Sequence, residues 1–227
     1  MFEDLRNSFD FFLRNKTRFS RKNFVEKNEK LIQRNILENL YTKDVLEECF
    51  SKIDKDTIRI LDIGCKNWFY AKGEYDFFQS FCKNISLDGV EIDPHRLYSN
   101  FYSRYEVAKF YTKDLKNTNY ICGDLLDIKE RYDYIIWFLP FVSIEPLIYW
   151  GLPKKLFCPK KLLAHAHSLL KEDGQMLIIN QGEKEARIQE EILKKINASY
   201  IPLGEIKSEY FEYQNTRYGY LVKNCVD

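Results

Sequence analysis

Apolar positions recur at helical spacing early in the chain and in short strand-like runs later. Leu31, Ile32, Asn35, Ile36, Asn39 and Leu40 mark a partly apolar stripe, and Val45, Leu46, Cys49 and Phe50 continue it. Residues 1–56 therefore read as a helical extension whose stripe packs on a sheet. From position 58 onward, apolar runs alternate with helical patterns. The runs predict strands at 58–63, 85–91, 118–122, 133–138 and 175–180. Helices are predicted at 73–83, 94–110, 159–171 and 183–197, with a short one at 125–130; Lys171-Glu-Asp-Gly174 reads as the stop of the helix that begins at 159. Such alternation implies βαβ units, a parallel sheet and right-handed crossovers. At the C-terminus, Glu209–Tyr213 and Arg217–Lys223 are aromatic runs joined by residues 214–216, which predicts an antiparallel hairpin on the sheet edge.

Three of these strands end in acids. Ile58-Arg-Ile-Leu-Asp-Ile-Gly64 delivers Asp62 and a flexible turn, Leu87-Asp-Gly-Val precedes Glu91, and Tyr120-Ile-Cys-Gly precedes Asp124. Ligands of open α/β sheets bind at the carboxyl ends of strands. Three carboxylates there outline a pocket for a guest with hydroxyls and amines. The turn Gly64-Cys-Lys-Asn-Trp-Phe69 argues against a dinucleotide and an NAD-dependent oxidoreductase, because Lys66 and Phe69 stand where a pyrophosphate demands glycine. No Gly-Lys-Ser/Thr follows a glycine-rich loop, so a P-loop is absent as well. S-adenosylmethionine makes no such demand. Glu91 suits its ribose hydroxyls, Asp124 its adenine amino group, and Asp62 with the Gly64 turn its ammonium.

Composition narrows the setting. An apolar fraction of 45% and a charged fraction of 30% are globular values, and 227 residues suffice for one α/β domain with an elaboration. A net charge of +1 supplies no global field toward nucleic acid or anionic membrane. Six cysteines lie scattered without a Cys-x-x-Cys pair, which reads as reduced thiols in a cytoplasmic protein. The N-terminus shows no signal peptide, and no 18-residue apolar run predicts a membrane span.

Taken in order, these segments resemble the class I S-adenosylmethionine-dependent methyltransferases. Ile60-Leu-Asp-Ile-Gly-Cys65 is similar to the start of that family's first motif, and Leu87-Asp-Gly-Val-Glu-Ile-Asp-Pro94 to the second. Cys122-Gly-Asp-Leu125 resembles the third, Tyr132-Asp-Tyr-Ile-Ile-Trp137 the fourth strand, and Leu162–Ile178 the fifth helix and strand. The resemblance covers about residues 58–223. It implies a three-layer Rossmann-like, seven-stranded, mostly parallel sheet over residues 57–227, with a C-terminal antiparallel hairpin; the helical extension over 1–56 precedes it. It implies a methyl transfer and S-adenosylmethionine as cofactor, with Glu91 at the ribose position, Ile92 packing on adenine and Asp124 at the adenine edge. Asp62, Gly64, Cys65, Lys66, Leu125 and Trp137 complete the implied cofactor set. One departure stands out: Lys66 and Trp68 replace the second and third glycines of the family's first turn.

Other features carry less. Phe138 and Pro140, in Trp137-Phe-Leu-Pro-Phe-Val142, are expected to wall the acceptor site, and Asn180 at the end of the fifth strand to line it. Phe138-Leu-Pro-Phe141 lacks the leading polar residue of the amino-methylating tetrad. Four lysines in Gly151–Lys161 fall close to that pocket, and Arg14–Lys22 mixes cations with aromatic rings. Near-neutral charge still argues against strong nucleic-acid binding. His165 and His167 point to different helix faces and His95 is remote, so no metal is expected. No general base announces itself, and the acceptor and oligomeric state are not legible. The alternative reading is a non-catalytic Rossmann-like binding or regulatory protein with a degenerate cofactor site. Trp68 is expected to pack in the core, Asp93 to cap the helix that Pro94 opens, and Asp124 to divide its role between ligand and cap.

Overall fold

A computed structural model describes residues 29–224 of the chain. The basic-aromatic stretch Arg14–Lys22 lies outside the described residues. Helix α1 (Glu29–Cys49) precedes β1 (Thr57–Ile63), α2 (Ala71–Gln79), β2 (Asn84–Glu91), α3 (Arg104–Thr112), β3 (Thr118–Cys122) and β4 (Tyr132–Phe138). Then come α4 (Ile144–Tyr149), α5 (Pro159–Ser168), β5 (Leu170–Gln181), α6 (Gly182–Lys195), β6 (Ser199–Ile206) and β7 (Arg217–Lys223). The sheet order is β3-β2-β1-β4-β5-β7-β6. Pairing is parallel from β3 to β5, and β7 runs antiparallel to both β5 and β6. This is the seven-stranded arrangement expected.

Strand periodicity builds the layers. Ile58 and Ile60 of β1 face one cluster with Val45, Leu46, Phe77, Phe78 and Ala108 from α1–α3. Leu61 and Ile63 face the other, with Leu163, Ala166, Ala186 and Leu193 from α5 and α6. Because side chains alternate along a strand, an unbroken apolar run marks a strand buried on both faces. The order switches at β1, whose two neighbours, β2 and β4, leave it in opposite directions, and a crevice opens there at the carboxyl edge.

The structure corrects several expectations. Residues 94–103 are not helical. An isolated bridge joins Leu97 to Ser103, Phe101 has φ +66°, and α3 starts only at Arg104. Ser103 and Glu106 form a capping box there, a stronger start signal than Pro94, and Asp93 pairs with Arg96 instead of capping. The partner of β7 is β6, not residues 209–213. Those aromatics turn toward α1, where Tyr213 hydrogen-bonds Glu38 at 3.0 Å and meets Tyr41 edge to face. Lys171–Gly174 lies at the start of β5, not in a helix end. On α1 the buried side is Glu38, Tyr41, Thr42, Val45, Leu46 and Cys49, while Ile36 and Leu40 of the expected stripe are exposed. Among the described residues no helix is long and apolar enough to cross a membrane.

Candidate active site

The first turn leaves β1 through Gly64, whose N–H donates to Val90 O at 2.8 Å. Gly64, Lys66 and Trp68 all have positive φ, at 72°, 54° and 46°. The backbone thus keeps a left-handed residue at each place where the family resemblance calls for glycine. Two of the three carry side chains, at a cost of about 1–2 kcal/mol each. Tertiary contacts hold them there. Lys66 N–H donates to Glu91 Oε2 at 2.9 Å, and Tyr120 OH donates to Lys66 O. Trp68 is fully buried, its Nε1–H donating to Glu74 Oε2 at 2.9 Å. It lies where Gly89 leaves room: a Cβ on Gly89 would stand 2.8 Å from the Trp68 ring and 2.9 Å from Cys65 Sγ. Asn39 Nδ2 from α1 donates to Phe69 O at 3.0 Å, while its Oδ1 accepts from Gly73 N–H at 2.7 Å.

A cavity of about 830 Å³ opens at the carboxyl edge of β1, β2 and β4. Of the expected residues, Gly64, Lys66, Glu91, Ile92, Asp124, Leu125, Trp137, Phe138 and Pro140 line it. Three do not. Asp62 is fully buried on the α1–α2 side, with Oδ2 accepting from Tyr70 OH at 3.0 Å. Cys65 is buried against Gly89. Asn180 is buried within β5, and its neighbour Gln181 reaches the cavity instead. Convergence of the three strand-end acids therefore holds for two of them.

Glu91 is almost fully used within the chain. Its Oε1 accepts from Asp93 N–H at 2.8 Å and from Arg104 Nη1 at 2.9 Å, while Oε2 takes the Lys66 amide. A carboxylate offers about four lone-pair sites, so one remains on Oε2 for a hydroxyl. Asp124 Oδ1 caps the 3-10 turn Leu125–Asp127 by accepting from Leu126 N–H at 2.9 Å. Its expected capping role is met, and Oδ2 stays available on the cavity wall.

Asp62 and Glu74 form a buried pair of interacting acids. Asp62 Oδ1 and Glu74 Oε1 have no hydrogen-bond partner among the described residues. Burial raises the Asp62 pKa to about 7 and pushes Glu74 well up, with their mutual repulsion adding to Glu74.

Sequence reasoning missed Arg104 and Trp150. Arg104 falls inside the helix expected at 94–110, and Trp150 inside a proline-bearing loop. Both line the cavity, as do Lys155 and Lys161 from the four-lysine segment. Arg104 and Trp150 meet, the Arg104 guanidinium carbon lying 5.3 Å from the Trp150 ring centre. Among the described residues no group of three His, Cys, Asp or Glu side chains is placed to hold a metal ion.

No family model and no curated protein matches the chain. Solved structures do. A SAM-dependent methyltransferase from Aquifex aeolicus superposes with a TM-score of 0.59 at 14% identity, over 93% of this chain and 97% of that one. The N-methyltransferase NodS from Bradyrhizobium japonicum WM9 gives 0.53 at 12% identity, over 86% of this chain and 97% of that one. A putative RNA methyltransferase from Pyrococcus horikoshii gives 0.52 at 13% identity, over 85% of each chain. At such identities the likeness establishes architecture, and the chain has the Rossmann-like fold of class I S-adenosylmethionine-dependent methyltransferases.

Proposed function

We propose that this protein is an S-adenosylmethionine-dependent methyltransferase acting on an acceptor that neither the sequence nor the cavity names. The observation that carries the reading is the first turn. Left-handed backbone at positions 64, 66 and 68 preserves the path of a glycine turn although two of the glycines are gone. That path ends on a cavity which Glu91 and Asp124 line from adjacent strands. Bound S-adenosylmethionine supplies an electrophilic methyl on sulfonium. The chain's own part is binding, alignment and exclusion of water. Glu91 Oε2 accepts a ribose hydroxyl, Asp124 Oδ2 accepts from the adenine amino group, and Ile92 and Leu125 pack on the base. Phe138, Pro140 and Gln181 wall the neighbouring space for the acceptor. No carboxylate or imidazole is assigned as general base, which suits an acceptor whose nucleophile needs no deprotonation.

A cytoplasmic location belongs to the same reading, since Cys49, Cys65, Cys82, Cys122 and Cys158 are free. So does treating residues 1–56 as an extension of the domain over 57–227. The test is calorimetry with S-adenosylmethionine and its product S-adenosylhomocysteine. Saturable binding of both supports the assignment. Absence of heat at near-millimolar ligand, with the protein folded, overturns it in favour of a non-catalytic binding protein.

A further inference from the structure

Three cations crowd one indole at the cavity wall. Lys66 Nζ lies 4.8 Å, Arg104 Cζ 5.3 Å and Arg96 Cζ 5.9 Å from the centre of the Trp150 ring. Two of them have carboxylates. Arg104 pairs with Glu91 at 2.9 Å and Arg96 with Asp93 at 2.5 Å. Lys66 has only the ring: no acid among the described residues stands within ion-pair distance of it. Arg104 is also incompletely used. It is 4% exposed, lines the cavity, and its Nε–H has no partner among the described residues.

Two unspent cationic donors on one cavity wall call for an acceptor of opposite charge. A buried guanidinium N–H left unpaired costs about 1–3 kcal/mol, more when charged. A cation over an aromatic face gains only about 0.5–2 kcal/mol, far from what a carboxylate or phosphate oxygen returns. Around the Trp150 ring itself, Lys66, Arg96 and Arg104 face Glu91 and Asp93, one positive charge in excess, while the cavity lining as a whole sets Lys66, Arg104, Lys155 and Lys161 against Glu91, Asp124, Glu145 and Glu185. Burial first, and the neighbouring Arg104 charge second, lower the Lys66 pKa below its ordinary value. Glu91, too far for an ion pair, opposes that shift only in part.

We propose that the cavity binds an anionic group, a carboxylate or a phosphate, held by the Lys66 ammonium and Arg104 Nε–H over the Trp150 ring. Arg96 acts at one remove. Its guanidinium donates to Trp150 O and fixes the ring in place. Two molecules can bring the anion. One is the cofactor, through its methionine carboxylate, and this arm rests on the methyltransferase reading. The other is the acceptor substrate.

The experiment measures affinities for S-adenosylhomocysteine, for 5′-methylthioadenosine, which lacks the amino-acid tail, and for inorganic pyrophosphate. It uses wild type, K66Q and K66R at one ionic strength, with near-UV circular dichroism reporting the fold. If the cofactor brings the anion, K66Q weakens S-adenosylhomocysteine tenfold or more and leaves 5′-methylthioadenosine within twofold. If the acceptor brings it, K66Q weakens pyrophosphate tenfold or more and leaves S-adenosylhomocysteine within twofold. K66R, which keeps the charge, restores the affected affinity in either case. The proposal is overturned if K66Q changes neither, or if wild type binds neither S-adenosylhomocysteine nor pyrophosphate. Lys66-dependent pyrophosphate binding without any nucleoside binding upholds the anion site and rejects the cofactor reading.

Discussion

Glu91 and Arg104 form an ion pair at 2.9 Å with side chains only 4% and 5% exposed. Arg104 also comes within 3.9 Å of Asp93, so the guanidinium holds together the acid that ends β2 and the one just past it. Breaking a buried pair by removing one partner costs about 3–5 kcal/mol, because the surviving charge is left uncompensated. E91Q is therefore expected to lose stability of that order in urea unfolding and to lose S-adenosylhomocysteine binding. The double variant E91Q/R104Q removes both charges and should recover much of the stability without recovering binding. Recovery of both would show that Glu91 serves the fold alone.

Trp68 and Gly89 make a size-matched pair across the first turn. Trp68→Gly restores glycine at a left-handed position, which relieves about 1 kcal/mol of backbone strain. It also empties a fully buried indole site, and Trp-to-Ala-type truncations cost about 3–5 kcal/mol. The cavity effect wins, so W68G is expected to be net destabilised by several kcal/mol. K66G carries no such loss, since Lys66 is half-buried and lines a cavity. Its stability should stay within about 1 kcal/mol of wild type. G89A should be destabilised by about 1–3 kcal/mol, because its methyl meets the Trp68 ring at 2.8 Å. Thermal unfolding of the three variants checks the order K66G, G89A, W68G.

The parallel half of the sheet was legible because short apolar-rich segments such as Ile58–Ile63 and Tyr134–Phe138 alternate with helical patterns, although Arg59, Asp88 and Asn119 interrupt the strands and β3 is only partly buried. Glu91 and Asp124 were legible for a related reason: acids directly after those runs fall on the ligand-binding edge. Asp62 obeyed the same rule and still misled, because it lies one residue inside β1 and its side chain joins the α1–α2 layer with Tyr70 and Glu74. Arg104 was hidden by a helix pattern whose true start, capped by Ser103, lies ten residues past the expected start at position 94: Arg104 itself is the first helical residue. Trp150 was hidden because a contact from the segment after β4 to the one after β2 depends on how the cavity closes, which no local pattern encodes. The 209–213 aromatics read as a strand because β propensity reports burial on a flat surface, and helix α1 supplies that surface as well as a sheet does.

The Asp62–Glu74 pair makes stability depend on pH in an unusual direction. Asp62 titrates near 7 in the folded chain, above its ordinary 3.8, so between those values the folded state holds a proton that the unfolded chain has released. Stability from this group is fully present below about pH 4 and is lost as pH rises through 7. The slope is about 1.4 kcal/mol per pH unit for one proton. Glu74, also pushed up, acts in the same sense. D62N replaces the titrating carboxyl with a neutral amide beside Glu74. It is expected to flatten the decline between pH 4 and 7 and to be more stable than wild type at pH 8. Unfolding free energies across that range test it, and a wild-type slope unchanged in D62N would remove Asp62 from the account.

Helix α1 reaches the first turn through Asn39, and this ties the N-terminal extension to the candidate site. One side chain serves two backbone groups, accepting from Gly73 N–H at 2.7 Å and donating to Phe69 O at 3.0 Å. Asn35 donates to the same Phe69 carbonyl. Gly73 permits the approach, since a Cβ there would lie 2.3 Å from Asn39 O. N39A removes both bonds, at about 0.5–1.5 kcal/mol each, while Gly73 N–H keeps Tyr70 O at 3.0 Å and Phe69 O keeps Asn35. The loss should fall on the segment 64–73 rather than on the sheet. Hydrogen exchange in N39A is therefore expected to speed up at those amides while β4 and β5 keep wild-type protection, and affinity for S-adenosylhomocysteine should fall as the turn loosens. Uniformly faster exchange across the sheet would mean instead that Asn39 supports the core as a whole, and that the extension has no particular hold on the turn.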